Sequence, residues 1–159
     1  MLRPARDSDI AVIHALYTDP AVIPFMLHEP MPLAAFGPLY AKLMAGGLMV
    51  WEIDGRIAGM YRTPIAEGRA SHTAMLATVA VHPDFQGTGL ARTMLEDALD
   101  RLRAKGVVRI ELLAEADNVR GIAFYKKLGF EVMAVLKDAY RAYGRPGYVD
   151  DVLMSKLLN

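Results

Sequence analysis

The order of apolar and polar residues predicts helices in the first part of the chain. Apolar side chains recur at helical spacing over residues 10–17, which predicts an amphipathic helix after a short first strand at residues 1–4. Four of the nine prolines lie within residues 19–32. We expect a loop there, because proline fixes φ and removes a backbone donor. A second helix is predicted over residues 33–45, interrupted or bent near Gly37-Pro38.

Beyond residue 47 the chain changes to short apolar runs separated by turn residues. Asp54-Gly55 stands between two such runs, at residues 48–53 and 56–63. These two residues predict a hairpin, because both accept the positive φ angles of a tight two-residue turn. The other predicted elements are a strand at 70–81, a helix from Leu90, a strand at 107–115, a helix at 118–128 ended by Gly129, and strands at 130–137 and 147–157.

The resulting order is β-α-α-β-β-β-α-β-α-β-β. It predicts an α/β (α+β) protein with a mixed, mostly antiparallel sheet of about six to seven strands and helices on both faces. The sequence of 159 residues contains no internal repeat, low-complexity tract or linker. We therefore expect one domain that spans residues 1–159.

A glycine-rich loop joins the strand that ends at Val81 to the helix that begins at Leu90. Glycines before a helix let the backbone approach a ligand, and the positive end of the helix favours an anion, most often a phosphate. The pattern G-x-x-x-x-G-K-[ST] does not occur in the sequence, and Arg92 stands where a dinucleotide-binding loop needs a small residue. The alternative is a loop that only connects the strand to the helix.

Two motifs resemble the GCN5-related N-acetyltransferase (GNAT) superfamily. Residues 86–91 read Gln-x-x-Gly-x-Ala after Val-x-Val-x-Pro, which is similar to the coenzyme A pyrophosphate loop of that superfamily. Residues 118–130, NVRGIAFYKKLGF, are similar to its Asn…Ile-x-Phe-Tyr-x-x-x-Gly-Phe signature. The shorter motifs Ser71-His72 and Tyr148-Val149-Asp150 resemble bacterial members that acetylate the α-amine of free amino acids.

The resemblance implies an acyltransferase that moves the acetyl group of acetyl-CoA to a primary amine by direct attack. Asn118 would hydrogen-bond the pantetheine amides, and a backbone N–H near Val81 would face the developing oxyanion. Tyr125 occupies the position of the superfamily's general acid, where it would contact the cofactor and protonate the leaving thiolate. The other residues implied in cofactor binding are Val79, Ala80, Gln86, Gly87, Thr88, Gly89, Leu90 and Ala91.

The general base is left open by the sequence. Many members of the superfamily carry a carboxylate on the strand before the loop, but residues 72–78 contain no acid. His82, His72 and a water relay are the candidates, because histidine titrates near neutral pH. Asp150 and Asp151 are not expected to act as a catalytic pair, because adjacent strand residues point to opposite faces.

The N-terminal half is expected to shape the acceptor site, with Phe25, His28 and Glu29 as candidate contacts. We expect a small, amino-acid-like amine as the acceptor. The alternatives are a protein or peptide N-acetyltransferase and a non-catalytic acyl-CoA-binding module. Retention of Tyr125 favours an enzyme over the last of these.

Charge and composition limit the other partners. Lys and Arg balance Asp and Glu at 18 each, so no general field attracts a nucleic acid. The chain contains no cysteine, which excludes thiol catalysis and disulfides, and we expect no metal site. The first residues lack the apolar core of a signal peptide and no apolar run reaches the length of a membrane span, so we expect a cytoplasmic protein. A homodimer is possible, because the last strands of this fold often pair across subunits.

Overall fold

The computed structural model describes residues 1–158 and contains eight strands and four α-helices within them. The strands are β1 Leu2–Pro4, β2 Met49–Ile53, β3 Arg56–Arg62, β4 Thr73–Met75, β5 Ala77–Val81, β6 Arg109–Glu115, β7 Glu131–Arg141 and β8 Tyr148–Leu157. The α-helices are α1 Ile10–Tyr17, α2 Leu33–Ala45, α3 Leu90–Ala104 and α4 Val119–Lys127. The predicted mixed class is confirmed, although the strands form two four-stranded sheets rather than one sheet.

Contacts divide the chain into two units. The first contains residues 1–64 and 77–98, and the second contains residues 65–76 and 99–158. The expectation of one N-acetyltransferase domain over residues 1–159 stays a prediction. No helix within residues 1–158 is long and apolar enough to cross a membrane.

The first unit is built on an antiparallel sheet with the order β1-β2-β3-β5. The predicted hairpin is confirmed: Asp54 and Gly55 adopt φ angles of 49° and 74° between β2 and β3. Met60 of β3 packs into a core that α1 and α2 supply through side chains such as Ile13 and Phe36.

The opposite face of this sheet carries α3. A Cβ added at Gly59 would lie 2.6 Å from the Sδ atom of Met94 on that helix, so α3 packs tightly against the strand. Gly59 and Met60 are adjacent, and adjacent strand residues point to opposite faces. The first sheet therefore has helices on both faces, as the sequence predicts.

The second unit is built on a sheet with the order β4-β6-β8-β7, in which only β4 and β6 are parallel. Its core includes the fully buried side chains of Ile110, Leu112 and Met154. The predicted helix at 118–128 is observed as α4, and Gly129 follows it with a φ of 87°.

Three predicted elements differ from the structure. The predicted strand at 70–81 is two strands, because Leu76 donates its N–H to Glu111 of β6 while β5 pairs with β3. Thr78 then adopts a φ of 55°, which no regular strand allows. Helix α2 runs through Gly37-Pro38 without interruption, and β7 extends to Arg141 rather than ending at residue 137.

Replacing Gly59 with Ala should lower the free energy of unfolding by about 1 to 3 kcal/mol, because the methyl group overpacks the contact between β3 and α3. The new Cβ would meet the Ala80 carbonyl oxygen at 2.9 Å as well as Met94, and backbone cannot move aside cheaply. Urea titration followed by circular dichroism measures the change. Gly37→Ala is the control, since its Cβ meets open space; a loss as large there would refute the packing explanation.

Candidate active site

The glycine-rich loop has the predicted position between β5 and α3 in the first unit. Gly87 and Gly89 adopt φ angles of 75° and 88°, a region that residues with a Cβ rarely enter. Two side chains fasten the loop: Gln86 Nε2 donates to the Val81 carbonyl at 3.1 Å, and Thr88 Oγ1 donates to the Phe85 carbonyl at 2.6 Å. The loop is therefore held in a backbone conformation that favours glycine at positions 87 and 89.

Backbone donors of this loop are left available. Within residues 1–158 the N–H groups of Gly87, Thr88 and Gly89 donate to no protein acceptor. Leu90 and Ala91 open α3, and the first N–H groups of a helix have no intrahelical partner. Such a row of donors at the positive end of a helix can hold an anion. The neighbouring Arg92 side chain instead pairs with Glu96 at 2.8 Å along the helix surface.

Strand β5 carries the predicted residues Val79, Ala80 and Val81 and forms one end of the first sheet. The His82 N–H donates to the Ala58 carbonyl of β3 at 2.9 Å. Alternate residues of an antiparallel strand direct their N–H groups to the same neighbour. The Val81 N–H is therefore directed to the edge of β5 that has no strand partner in that sheet.

In the second unit, Asn118 begins α4 as its N-cap. Its Oδ1 atom accepts the Gly121 N–H at 2.9 Å. Tyr125 lies between the rings of Phe124 and Phe130, with centroid distances of 5.4 and 5.9 Å. Burial raises the pKa of Tyr125 to about 12, so the phenol keeps its proton at any physiological pH.

A carboxylate pair that the sequence did not predict lies at the end of β6. Glu115 and Asp151 are direct partners in the register of β6 and β8, so their side chains share one face. The Tyr140 hydroxyl donates to Glu115 Oε1 at 2.8 Å. Burial raises the pKa of Glu115 above its ordinary value, and the nearby acids Asp117 and Asp151 add to the rise against the opposing hydrogen bond from Tyr140.

Asp151 shares this behaviour, since burial raises its pKa and Tyr140 opposes the shift. Tyr140 follows an irregular turn of β7 in which Asp138 adopts a φ of 49°. Asp150 holds that turn by accepting the Asp138 N–H at 3.0 Å and pairing with Lys137 at 2.6 Å. Asp150 therefore has structural partners in Lys137 and Asp138, whereas Asp151 pairs with Glu115.

The two histidines considered as bases occupy turns. The Nδ1 atom of His82 accepts the Asp84 N–H at 3.2 Å, so that ring caps the short 3-10 turn before the loop. His72 is exposed, and its carbonyl accepts the Val108 and Arg109 N–H groups.

The three predicted acceptor residues all lie in the first unit. Phe25 is 53% exposed, and Glu29 is exposed. His28 makes a specific contact, because its Nδ1 atom lies 3.1 Å from the Tyr17 hydroxyl. The structure thus places these residues in the same unit as the glycine-rich loop, and it places Asn118 and Tyr125 in the second unit.

Comparison with known proteins identifies related acetyltransferases. The chain is 34% identical over 102 residues to a ribosomal protein bS18-alanine N-acetyltransferase of Salmonella typhimurium, covering 64% of this chain and 65% of that protein. It is 33% identical over 88 residues to a mycothiol acetyltransferase of an Arthrobacter species, covering 54% of this chain and 27% of that protein. The matches thus span less than two thirds of either relative.

A solved structure of spermidine N-acetyltransferase from Vibrio cholerae, in complex with CoA and spermine, has a TM-score of 0.85 to this protein at 22% identity. The match covers 99% of this chain and 95% of that one, so the fold is shared. Residues 10–130 match the sequence model described as the acetyltransferase (GNAT) family. This range contains both motifs in full. The resemblance is confirmed, and the chain belongs to the GNAT family of acetyltransferases.

Proposed function

We propose that this protein transfers the acetyl group of acetyl-CoA to the primary amine of a small, amino-acid-like molecule. The amine nitrogen attacks the thioester carbonyl, and the tetrahedral intermediate then expels the thiolate of coenzyme A. The observation that carries this proposal is the row of unpaired backbone donors from Gly87 to Ala91 at the start of α3. A pyrophosphate is the group that such donors suit.

The remaining cofactor contacts follow along β5. The open edge of residues 79–81 offers backbone groups that the pantetheine arm can pair with, as an added strand would. The Val81 N–H is directed to that edge and would donate to the oxyanion, a contribution of about 3 kcal/mol in other acyl-transfer enzymes. Asn118 is proposed to bond the pantetheine amides while it caps α4.

Tyr125 is proposed as the acid that protonates the leaving thiolate. Its raised pKa of about 12 keeps the phenol protonated, so the hydroxyl carries a proton that it can donate at each turnover. The alternative is that Tyr125 only packs between Phe124 and Phe130.

Glu115 is proposed as the base, in preference to His82, His72 or an unassisted water. A base that works near neutral pH benefits from a pKa above the ordinary carboxyl range, and burial beside Asp151 raises the pKa of Glu115 in that direction. Glu115 is half-buried and so stays accessible to solvent and substrate, whereas Asp151 is buried.

A protein N-terminus is the second acceptor class, favoured by the name of the Salmonella typhimurium relative. Phe25, His28 and Glu29 remain the proposed acceptor contacts for either class. A non-catalytic acyl-CoA-binding module is the third possibility, and it requires no acid at position 125. We propose a cytoplasmic location. We expect no nucleic-acid partner, because the charges of the chain balance.

Replacing Tyr125 with Phe should lower kcat by about 10²-fold or more while leaving the Kd for acetyl-CoA within a few-fold, because the general acid acts only in the chemical step. The assay is thiol release from acetyl-CoA against free amino acids, polyamines and a peptide with a free N-terminus. Turnover confined to the peptide would move the function to protein acetylation. Acetyl-CoA binding without turnover on any acceptor would favour the binding module.

Replacing Glu115 with Gln should lower kcat/KM for the acceptor by about 10²-fold and remove the acid limb of its pH profile. In the wild type this limb lies above the ordinary carboxyl pKa, because the pKa of Glu115 is raised and only the ionised form accepts a proton. Asp100→Asn is the control, since that exposed carboxylate pairs with Arg103 on α3. An unchanged acid limb in the Glu115 variant would remove Glu115 from the mechanism.

A homodimer through β7 is proposed from the exposed apolar residues of that strand. β7 ends the second sheet, and Val132, Met133, Val135 and Leu136 are 42 to 61% exposed. Edge strands of this kind pair with other strands unless a charge blocks them. Analytical ultracentrifugation should give twice the 17.5 kDa chain mass, and Met133→Lys should give the monomer. A wild-type monomer at micromolar concentration contradicts this arrangement.

A further inference from the structure

Arg62 is a half-buried cation that no carboxylate of residues 1–158 neutralises. It is the last residue of β3, and its Nε–H donates to the Thr78 hydroxyl at 2.9 Å. Within residues 1–158 its guanidinium forms no ion pair, and the Thr78 bond is its one protein hydrogen bond. A neutral hydroxyl is a weak partner for a guanidinium, which offers five donors.

The other arginines do not share this situation. Arg3, Arg56, Arg92, Arg103, Arg109 and Arg145 each pair with an Asp or Glu. Arg6, Arg69, Arg101, Arg120 and Arg141 are exposed, so water reaches their charges. Arg62 alone among these is withdrawn from water without a counter-charge, and its burial lowers its pKa. Such a charge gains more from an anionic ligand than an exposed arginine does.

The surroundings of Arg62 supply further polar groups. Its guanidinium lies against Gly46 at the end of α2, where a Cβ would overlap the Nη1 atom. Tyr17 of α1 is near enough to interact with it electrostatically, and the Tyr17 hydroxyl is bonded to His28. These residues lie on α1, on β5, at the end of α2 and in the loop that contains His28, all in the first unit. None of them is an acid.

Thr78 connects this cluster to the proposed reaction site. It immediately precedes Val79, Ala80 and Val81, the part of β5 along which the acyl arm is proposed to bind. Its φ of 55° is costly for a β-branched residue and persists only because surrounding contacts hold it. The Arg62 hydrogen bond is one of those contacts, so the guanidinium is fixed relative to that strand.

We propose that Arg62 binds the carboxylate of the acceptor, so that the substrates are amines that also carry a carboxylate, as free amino acids do. This inference rests on the proposed function and specifies its acceptor. A guanidinium presents parallel donors that match a carboxylate, and the same charge repels a polyamine. A protein N-terminus, which has no adjacent carboxylate, gains nothing from this site.

The competing explanation is structural. Helix C-termini attract cations, and the Arg62 guanidinium packs against the C-terminal end of α2. It can therefore stabilise that helix end and the backbone at Thr78 without contacting a substrate. The two explanations differ in what they predict for acceptors with and without a carboxylate. A structural arginine affects both acceptors equally.

The test compares an amino acid with its own amide as acceptor. In the wild type, kcat/KM should be higher for the amino acid. Arg62→Gln, which keeps a donor for Thr78 and removes the charge, should lower that value about 10- to 100-fold through KM and leave the amide within about 3-fold. Equal losses on both acceptors, or no preference in the wild type, would overturn the proposal. Arg69→Gln is the matched control, since Arg69 is exposed.

A second variant retains the charge and moves it. Gly46→Ala places a methyl group where the guanidinium lies, and the flexible arginine side chain must shift while the backbone of Gly46, at a φ of −80°, accepts alanine. This variant should fold even if Arg62→Gln does not. It should raise KM for the amino acid and leave KM for the amide unchanged, and equal effects on the two would count against the carboxylate site.

A binding measurement separates this proposal from the proposed function. An N-acetyl amino acid, titrated into protein saturated with CoA, should shift the Arg62 Nε–H resonance, and the corresponding N-acetyl amino acid amide should not. This shift is read without turnover, so it still decides the carboxylate site if the wild type acetylates no acceptor. Absence of a shift, or equal shifts from both compounds, would refute the site.

Discussion

The change of partner at Leu76 is the constraint on which the rest of the structure depends. Up to Met75 the chain pairs with β6, and from Ala77 it pairs with β3, so two successive strands of one short segment belong to different sheets. β5 is the last strand of the first sheet, and the Val81 N–H is directed to the edge that has no strand partner in that sheet. A regular strand over residues 73–81 would have kept one neighbour throughout, and the first sheet would lack this edge.

Two protonation states in the second unit are set apart by their surroundings. Burial raises the pKa of the Tyr125 phenol to about 12 and raises the pKa of the Glu115 carboxyl above its ordinary value. In the proposed mechanism the phenol gives a proton and the carboxylate takes one. Environments that separate an acid from a base in this way are a common feature of active sites.

Local features were predictable from the sequence, and long-range pairing was not. The Asp54-Gly55 turn, the start of α3 at Leu90 and the helix predicted at 118–128 depend on residues close together in the chain, so composition and spacing identified them. The pairing of Glu115 with Asp151 depends on the register of β6 against β8, which no short window contains. Tyr140 joins them only because β7 carries an irregular turn. Arg62 and Thr78 are likewise joined by a register and a φ angle that the sequence pattern does not report.

The proposed carboxylate site at Arg62 has a consequence for the end of the catalytic cycle. Acetylation neutralises the amine of an acceptor and leaves its carboxylate unchanged, so an ion pair formed by substrate persists in product. Recognition through the carboxylate then contributes equally to the ground states on both sides of the reaction, and it does not help expel the acetylated molecule. An enzyme built this way is subject to inhibition by its own product, and its output in a cell is limited by how fast that product is removed.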